Sequence, residues 1–501
     1  MIRVRRLLAV ILALGAMTSL VVLDKVNKVT LLTPLSTERP GKSHAVPIIS
    51  TELKLTTSWF CPGVPANDAA ITGVIIISNS SDSDITGTIT LLSSEQQPVI
   101  SALSVPARSS VALDAIAGIE SKFVSAVVEL NGDIGSVEQQ IVHPAGDSVA
   151  LCANAPSKDW FFADGFTGAD SVEQVVLTNP FTDSTIVDIS FVTLETKREP
   201  ATLQGFVLPP RSVTVVSMDE QGARNEKVLA VSVRASSGRF IAGRSQHYLG
   251  QGRLGYTMSL GASTTSPQWW FPDGEKNANV AEQLVIFNPG DTDRTLSVIF
   301  ITNGDAASGL EPATITAPAG RVVTLNTASL PTLPDGRYGI LVAMVETSAD
   351  QTLTALGVTD TVDNIVVEQV INRGDGKSVG TSVVLGVPTS AASTTWVAPS
   401  GATAGLDGTF VVLNTTADSA SISVESVGPA GAVALSGLES IVMPASGLVT
   451  ITLPVGLPVG ELILRATVPV IVERLLGRGH DLVGRSTVMA LPLIPSPVTV
   501  S

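Results

Sequence analysis

Short apolar runs separated by turn residues dominate the chain. Val, Ile and Thr fill runs such as 74–77, 175–177 and 410–413, and Gly or Pro interrupts the sequence at short intervals. β-Branched residues between such interruptions are typical of β-strands. Hardly any stretch after residue 24 repeats its apolar positions with helical spacing. The pattern therefore predicts an all-β fold.

A Trp-led motif occurs four times and contains every Trp of the chain. Its copies begin at Trp59, Trp160, Trp269 and Trp396, and Trp270 directly follows the third. Each copy is followed by three further recurring positions, which we call stations. They are an apolar run ending in Asn, a Pro before an alternating run (the Pro station), and a last station of the type Val137-Glu-Gln139. Such self-similarity indicates tandem copies of one structural unit. We predict unit 1 (59–158), unit 2 (159–267), unit 3 (268–394, with an insertion around 330–364) and unit 4 (395–501).

The content of one unit indicates its architecture. Each holds about seven short strand candidates in roughly 100 residues, which suits a two-sheet antiparallel sandwich better than a four-stranded propeller blade. We therefore expect four tandem antiparallel β-sandwich-like repeats.

The N-terminus has the pattern of an export signal. Residues 1–6 form a basic tip, residues 7–23 carry no charge, and residues 24–58 contain the prolines of a stalk and an entry strand. The apolar run continues past its small residues, which favours an uncleaved transmembrane signal anchor over a cleavable signal peptide, the alternative. The positive-inside rule then places the bulk of the chain on the extracytoplasmic side of the cell membrane.

Charge and cysteine content agree with that location. The formal net charge is −15, and no basic cluster follows the N-terminus, so nucleic acid is not an expected partner. The two cysteines, Cys61 and Cys152, flank most of unit 1, and in an exported chain they are expected to form a disulfide. Two unpaired buried thiols are the alternative.

The sequence resembles two protein families through these recurring positions. The whole chain resembles a family of actinobacterial membrane-anchored or secreted proteins of unknown function, the domain-of-unknown-function family 5719. The shared features are an anchor, a first unit that opens Trp59-Phe-Cys-Pro-Gly63 and has a second cysteine near its end, and further Trp-led units. A single unit, through Trp269 to Gly274, Pro318-Ala319 and 365–369, distantly resembles the sensory rhodopsin transducer family. The first resemblance implies a bacterial envelope location. The second implies that four linked copies could close into a ring.

Motifs that would indicate catalysis are missing from the sequence. The four His have no metal-ligand spacing, and the acidic turns at 82–84 and 291–293 lack the pattern of a calcium loop. No nucleophile elbow, Walker-type loop or zinc-protease helix occurs. We expect no catalytic residue, no bound metal and no cofactor.

The carboxylates that recur at two stations could form a glycosidase pair. Asp164 and Asp273 recur in the Trp motif, and Glu138, Glu368 and Glu473 recur at the last station. Units 1 and 4 lack the motif Asp, so we expect solvated turns and a charged strand face instead of two facing catalytic carboxyls.

The recurring Trp rings could stack on sugars or pack within each unit. Recurrence at one station in every unit is what packing predicts, so Trp59, Trp160, Trp269 and Trp396 are interpreted as structural. The extra ring, Trp270, is the candidate for an exposed, ligand-facing side chain.

By elimination, the sequence favours a non-catalytic scaffold or interaction protein of the bacterial cell envelope. Its expected partners are the membrane, through the anchor, and an envelope protein or polysaccharide. A glycan-binding surface module and an envelope enzyme without a recognisable motif are the alternatives.

Overall fold

A computed structural model of the chain describes residues 44–50, 56–303 except 117, 133 and 134, 310–345, 364–374, 380–401, 408–454, 457, 460–477 and 485–494. All of these lie within Arg39–Ser501, which form one compact unit. The described residues contain no α-helix, and their strand ladders are antiparallel apart from one. The predicted all-β antiparallel fold is confirmed. Among these residues no helix is long and apolar enough to span a bilayer, and the predicted anchor at 7–23 lies outside them.

Unit 1 forms two four-stranded sheets, with short β3 added to the first. Their orders are β2-β8-β5-β6 and β10-β9-β4-β7. The strands are β2 (Thr56–Phe60), β3 (Val64–Pro65), β4 (Thr72–Asn79), β5 (Ile85–Ser93), β6 (Val99–Val105), β7 (Ser109–Asp114), β8 (Phe123–Asn131), β9 (Ser136–Val142) and β10 (Ser148–Leu151). A preceding short strand, β1 (Ile49–Ser50), pairs elsewhere.

Unit 2 has the same arrangement of two sheets. The orders are β11-β17-β13-β14, with β15 also on β13, and β16-β12-β18-β19. The strands are β11 (Asp159–Phe162), β12 (Val172–Asn179), β13 (Thr185–Thr193), β14 (Lys197–Arg198), β15 (Phe206–Leu208), β16 (Ser212–Ser217), β17 (Leu229–Ser237), β18 (Ile241–Gly250) and β19 (Arg253–Leu260). Short 3₁₀ turns lie at Gly168–Asp170, Ala201–Leu203 and Asp219–Gln221.

Unit 3 repeats the pattern with the orders β20-β25-β22-β23 and β24-β21-β26-β27. The strands are β20 (Gln268–Lys276), β21 (Val280–Asn288), β22 (Arg294–Ile301), β23 (Ala313–Ala317), β24 (Arg321–Asn326), β25 (Gly336–Met344), β26 (Val366–Arg373) and β27 (Gly380–Leu385). Turns of 3₁₀ helix lie at Thr327–Ser329 and Thr389–Ala391. The expected insertion falls partly at 346–363, outside the described residues.

In unit 4 the two sheets are joined by one long strand, β34, which pairs in both. The parallel pair of β1 with β36 adds the N-terminal strand to this sheet. The strands are β28 (Ser393–Ala398), β29 (Gly408–Asn414), β30 (Ala420–Gly428), β31 (Gly431–Ala434), β32 (Ile441–Met443), β33 (Leu448–Thr452), β34 (Leu462–Gly477), β35 (Arg485–Met489) and β36 (Leu491–Ile494).

The final strands of the second sheets bring the units together. β10 of unit 1 contacts β19 of unit 2, β19 contacts β27 of unit 3, β27 contacts β35 of unit 4, and β35 contacts β10. The contacts therefore run through the four units in a closed cycle. An apolar cavity of about 60 Å³ lies among these strands and is lined by side chains such as Leu151, Met258, Val384 and Met489.

A recurring Asn turn explains why the connection from one sheet to the other has the same form in each unit. Asn79, Asn179, Asn288 and Asn414 are at most 1% exposed, and each side-chain amide donates to backbone carbonyls of its own turn and of the Pro station. Such amide bonds satisfy carbonyls that a tight turn leaves unpaired. Each Asn thereby joins two stretches of chain within its unit.

Candidate functional site

The four motif Trp are packing elements of their units. Each ring is at most 3% exposed. The indole N–H donates to a backbone carbonyl near the last station in three units: Trp160 to Phe240, Trp269 to Ile365 and Trp396 to Val470, at 2.8 to 3.0 Å. Each of these rings therefore fixes the Trp motif against the strand that carries the last station.

The prediction of an exposed ring at Trp270 is wrong. Trp270 is 4% exposed, and its indole N–H donates to Oγ1 of Thr389 at 2.8 Å. Its backbone also pairs with Val387, so the segment around 387–391 covers this ring. Trp270 is therefore closed to a ligand.

The predicted disulfide is confirmed, since Cys61 is bonded to Cys152. The equivalent positions in two other units hold a phenylalanine over a glycine. A side chain added at Gly261 would lie 2.8 Å from the ring of Phe162, and one added at Gly386 would lie 2.7 Å from the ring of Phe271. The same site is thus filled by a covalent bond in unit 1 and by a ring in units 2 and 3.

The recurring carboxylates do not lie in solvated turns or on a charged strand face. Asp164, Asp273, Glu138, Glu368 and Glu473 are each at most 1% exposed. That expectation was wrong because the strand that carries each Glu faces another unit, not solvent. Buried backbone N–H groups at the end of the Trp strand need acceptors, and a carboxylate from the next unit supplies them.

Glu368 of unit 3 joins the Trp motif of unit 2. Its Oε2 accepts the amide N–H groups of Ala163 at 2.9 Å and Asp164 at 2.6 Å. Arg244 of unit 2 binds both carboxylate oxygens, each at 2.9 Å, and also donates to the carbonyl of Asp164. The bidentate geometry neutralises the buried charge.

Glu138 of unit 1 makes the equivalent contact with unit 4. Its Oε1 accepts the amide N–H of Ser400 at 3.0 Å, and its Oε2 accepts from Nη1 of Arg474 at 2.7 Å. Arg474 also donates to Oγ of Ser400 at 2.9 Å. Arg474 and Arg244 occupy the same position in their units, directly after the last-station residue that faces the neighbour.

Glu473 of unit 4 makes the third contact, with unit 3, but without an arginine. Its Oε2 accepts the amide N–H of Asp273 at 3.1 Å. Gln369 takes the place of Arg244 and donates to the Asp273 carbonyl at 2.9 Å and to Oε1 of Glu282 at 2.6 Å. Burial, and then the charge of Asp273, raise the pKa of Glu473 well above its ordinary value.

Unit 2 faces unit 1 with a glycine at this position. A Cβ added at Gly243 would lie 2.6 Å from Cβ of Pro62 and 2.8 Å from its carbonyl oxygen. No carboxylate fits here, so this contact is made by close backbone packing beside the disulfide of unit 1.

We expect Gly243→Ala to destabilise the protein by about 1–3 kcal/mol, because the added methyl overpacks the contact with Pro62. The melting temperature and the denaturant midpoint measure the loss. Gly252→Ala would not be a fair control because its φ is positive; Ala235→Ser, on a half-buried strand position of the same unit, is a suitable one. A Gly243→Ala protein as stable as wild type would contradict the packing described here.

Three further buried carboxyls lie beside these contacts. Burial raises the pKa of Glu173 to about 8, with Arg244 opposing the effect. Burial raises the pKa of Glu282 to about 7 against hydrogen bonds from Tyr338 and Gln369, and that of Glu461 to about 7 against one from Ser136. A perturbed carboxyl can indicate a catalytic acid, but a substrate must be able to reach it.

The histidines of the described residues do not form a candidate metal site. His143 stacks on Tyr256 with ring centroids 4.1 Å apart and meets His247 edge-on at 5.0 Å, across the contact between units 1 and 2. Burial lowers the pKa of His247. Within the described part of the chain, no three His, Cys, Asp or Glu side chains are grouped to hold a metal ion.

The sequence singled out the Trp, Asp and Glu stations but missed their partners Arg244, Arg474 and Arg253. Arg253 pairs with Asp164 at 2.8 Å. A signal was present in the third residue of each last station, which is Gln139, Arg244, Gln369 or Arg474 in units 1 to 4. That alternation marks which contacts carry a buried cation.

No curated protein matches the sequence. The family comparison covers the stretch that contains both Glu138 and Glu368. Residues 136–370 match the model of a Family of unknown function (DUF5719), so the predicted family is confirmed for this part of the chain.

Proposed function

We propose that the protein is a non-catalytic scaffold or interaction protein of the bacterial cell envelope, held at the membrane by residues 7–23 with the units on the extracytoplasmic side. The disulfide between Cys61 and Cys152 supports an oxidising compartment. The apolar run after a basic tip supports the anchor.

One observation carries the non-catalytic part of this proposal. The recurring Trp, Asp and Glu side chains, which are the groups that could bind or cleave a glycan, are buried in contacts within and between units. A glycosidase needs its two carboxyls to face a cleft. These buried side chains instead hold the four β-sandwich units against one another.

The test of this proposal uses the full chain in its host membrane. Acid trapping and thiol alkylation should find Cys61 and Cys152 oxidised in cells, and protease added outside the membrane should reach the units. After cross-linking in cells, the same envelope component should be recovered in near-stoichiometric amount. Hydrolysis of purified peptidoglycan or envelope polysaccharide that is lost in Glu473→Gln would contradict the proposal, and so would a reduced cysteine pair.

We further propose that the four units form a closed ring in solution, which the cyclic contacts of β10, β19, β27 and β35 support. Small-angle scattering of the full chain in detergent, after the micelle contribution is matched out, should give a compact particle. For about 450 folded residues, a compact radius of gyration is roughly 22 Å. The profile of an elongated rod would contradict the ring.

Glycan binding is the second candidate, and one observation favours it at a new position. A polar cavity of about 300 Å³ lies between the sheet β11-β17-β13-β14 of unit 2 and unit 3. It is lined by balanced charges, namely Asp188, Lys197, Glu199 and Arg234, beside Phe287 and Pro289. A neutral polyhydroxylated ligand suits such a lining better than a charged one.

Titration of envelope polysaccharide fragments against the full chain, followed by calorimetry, tests this candidate. Arg234→Ala should weaken binding at least about tenfold, which corresponds to about 1.4 kcal/mol. Arg239→Ala is the matched control, since Arg239 is exposed in the same unit and does not line the cavity. Binding that is equal in both variants would exclude the cavity.

A further inference from the structure

The three carboxylate contacts between units differ in how their buried charge is balanced. At the contact between units 2 and 3, Glu368 has Arg244 and Asp164 has Arg253. At the contact between units 1 and 4, Glu138 has Arg474. At these two contacts each carboxylate named here therefore has an arginine partner, whereas the neighbouring buried carboxyls Glu173 and Glu461 have no arginine in an ion pair with them among the described residues.

The contact between units 3 and 4 has too few cations. Arg337 lies 2.9 Å from Oδ1 of Asp273, and Arg373 lies 3.4 Å from Oδ2 of Asp273 and 3.0 Å from Glu275. Two arginines thus balance Asp273 and Glu275. Glu282 and Glu473 have no cation of their own.

The surroundings of Glu473 leave its second oxygen without a donor. Oε2 accepts the amide of Asp273, but Oε1 is buried and has no hydrogen-bond partner. On its own sheet Glu473 pairs with Val411 and Met489, which are apolar. A buried carboxylate oxygen without a donor is costly, whereas a carboxylic acid carries no charge to desolvate.

The charged groups that face Glu473 come from three strands of unit 3. Asp273 on β20 repels a negative charge at this position, and Arg337 on β25 and Arg373 on β26 attract one. Both arginines are already paired with Asp273. Glu282 on β21 is joined to this group through Gln369 and accepts from the hydroxyl of Tyr338.

We propose that the contact between units 3 and 4 is pH-sensitive: it is closed while Glu473 is an uncharged acid and loosens when Glu473 ionises beside Asp273. At the other two contacts arginine neutralises Glu368 and Glu138, so the acid that crosses between the units is already balanced there. Among the three carboxylate contacts, the one between units 3 and 4 is therefore the one whose crossing acid ionises without a cation of its own.

The sign of the effect follows from proton linkage. Glu473 is protonated in both the closed and the open contact at low pH, so the contact is complete there. When pH rises above the ordinary range for Glu, the open form releases its proton first, and closure becomes less favourable until the buried acid also ionises. The raised pKa of Glu473 is consistent with this direction.

Hydrogen exchange of the full chain tests the proposal, with rates corrected for the intrinsic effect of pH. Peptides covering 269–276 report on the Asp273 amide, and peptides covering 160–166 report on the equivalent amides bonded to Glu368. Between about pH 5 and about pH 9, protection of 269–276 should fall at least about tenfold relative to protection of 160–166. Equal pH dependence of the two peptides would overturn the proposal.

Matched variants identify the titrating group. Glu473→Gln keeps the shape and removes the charge, so protection of 269–276 should become independent of pH. Glu368→Gln is the control at the equivalent position and should lower protection of 160–166 at both pH values, because it removes the partner of Arg244.

Two more variants keep the test decisive if Glu473→Gln does not fold. Gln369→Arg supplies the cation that Arg244 and Arg474 provide elsewhere and should hold the contact closed at high pH. A fall that persists in Glu473→Gln but disappears in Glu282→Gln would overturn the proposal, since it would place the titrating group inside unit 3.

Discussion

Arg244→Met is expected to lower the free energy of unfolding by about 3–5 kcal/mol, because it leaves Glu368 as an uncompensated buried charge. Arg244 is fully buried, and it donates to both oxygens of Glu368 and to the carbonyl of Asp164. Removal of the guanidinium therefore breaks a junction between units 2 and 3 as well as an ion pair. The shift of the denaturant midpoint measures the loss.

Arg234→Met is the matched control for this prediction. Arg234 lies in the same unit, its side chain is about half exposed, and its nearest ion-pair distance, to Asp159, is 3.9 Å. An exposed pair at this distance contributes little, so we expect a change of about 0.5 kcal/mol or less. If Arg244→Met is no more destabilising than Arg234→Met, the buried pair does not hold the junction.

The double variant Arg244→Gln with Glu368→Gln separates charge from hydrogen bonding. It removes both charges while an amide remains to accept from Ala163 and Asp164. We expect it to be more stable than Arg244→Gln alone, because the unpaired charge is the main cost. A double variant that loses the sum of the two single effects would show that the side chains act independently.

Loss of the disulfide is the second large effect. Cys61→Ala with Cys152→Ala should cost about 4–5 kcal/mol in the chain-entropy model, because the bond joins residues 91 positions apart. Reduction of the wild-type protein should give a similar loss without changing either residue. Denaturation with and without reductant provides the measurement.

Units 2 and 3 provide the control for packing at this site. Cys61→Phe with Cys152→Gly copies the ring-over-glycine pairs Phe162 with Gly261 and Phe271 with Gly386. We expect this variant to be insensitive to reductant and to regain part of the stability that the double alanine variant loses. A phenylalanine variant no more stable than the alanine variant would show that the site in unit 1 cannot accept the packing of its equivalents.

The features that could be predicted from the sequence are those that depend on residues close together in the chain. The Trp-led motif, the apolar run ending in Asn and the Pro station each report on residues close in the chain, and the all-β fold follows from them. The disulfide could be predicted because the chain has only two cysteines. These features need no knowledge of how the units meet.

The junctions could not be predicted, because their partners are far apart in sequence. Glu368 and the Asp164 amide are separated by 204 positions, and Glu138 and Arg474 by 336. A Glu within an apolar strand has the same local pattern whether its side faces water or another unit. Trp270 was misplaced for the same reason, since the segment that covers it lies more than a hundred residues later.

The glycine at position 243 has a consequence for how the units recognise one another. The four junctions use three different pairings: Glu with Arg at two of them, Glu with a backbone amide at the third, and bare backbone against Pro62 at the fourth. A unit placed in another unit's position would bring a carboxylate against proline, or leave an arginine without its acid. The order of the units is thus specified by junction chemistry as well as by the covalent chain, which disfavours exchange of mismatched units between neighbouring molecules at a crowded membrane surface.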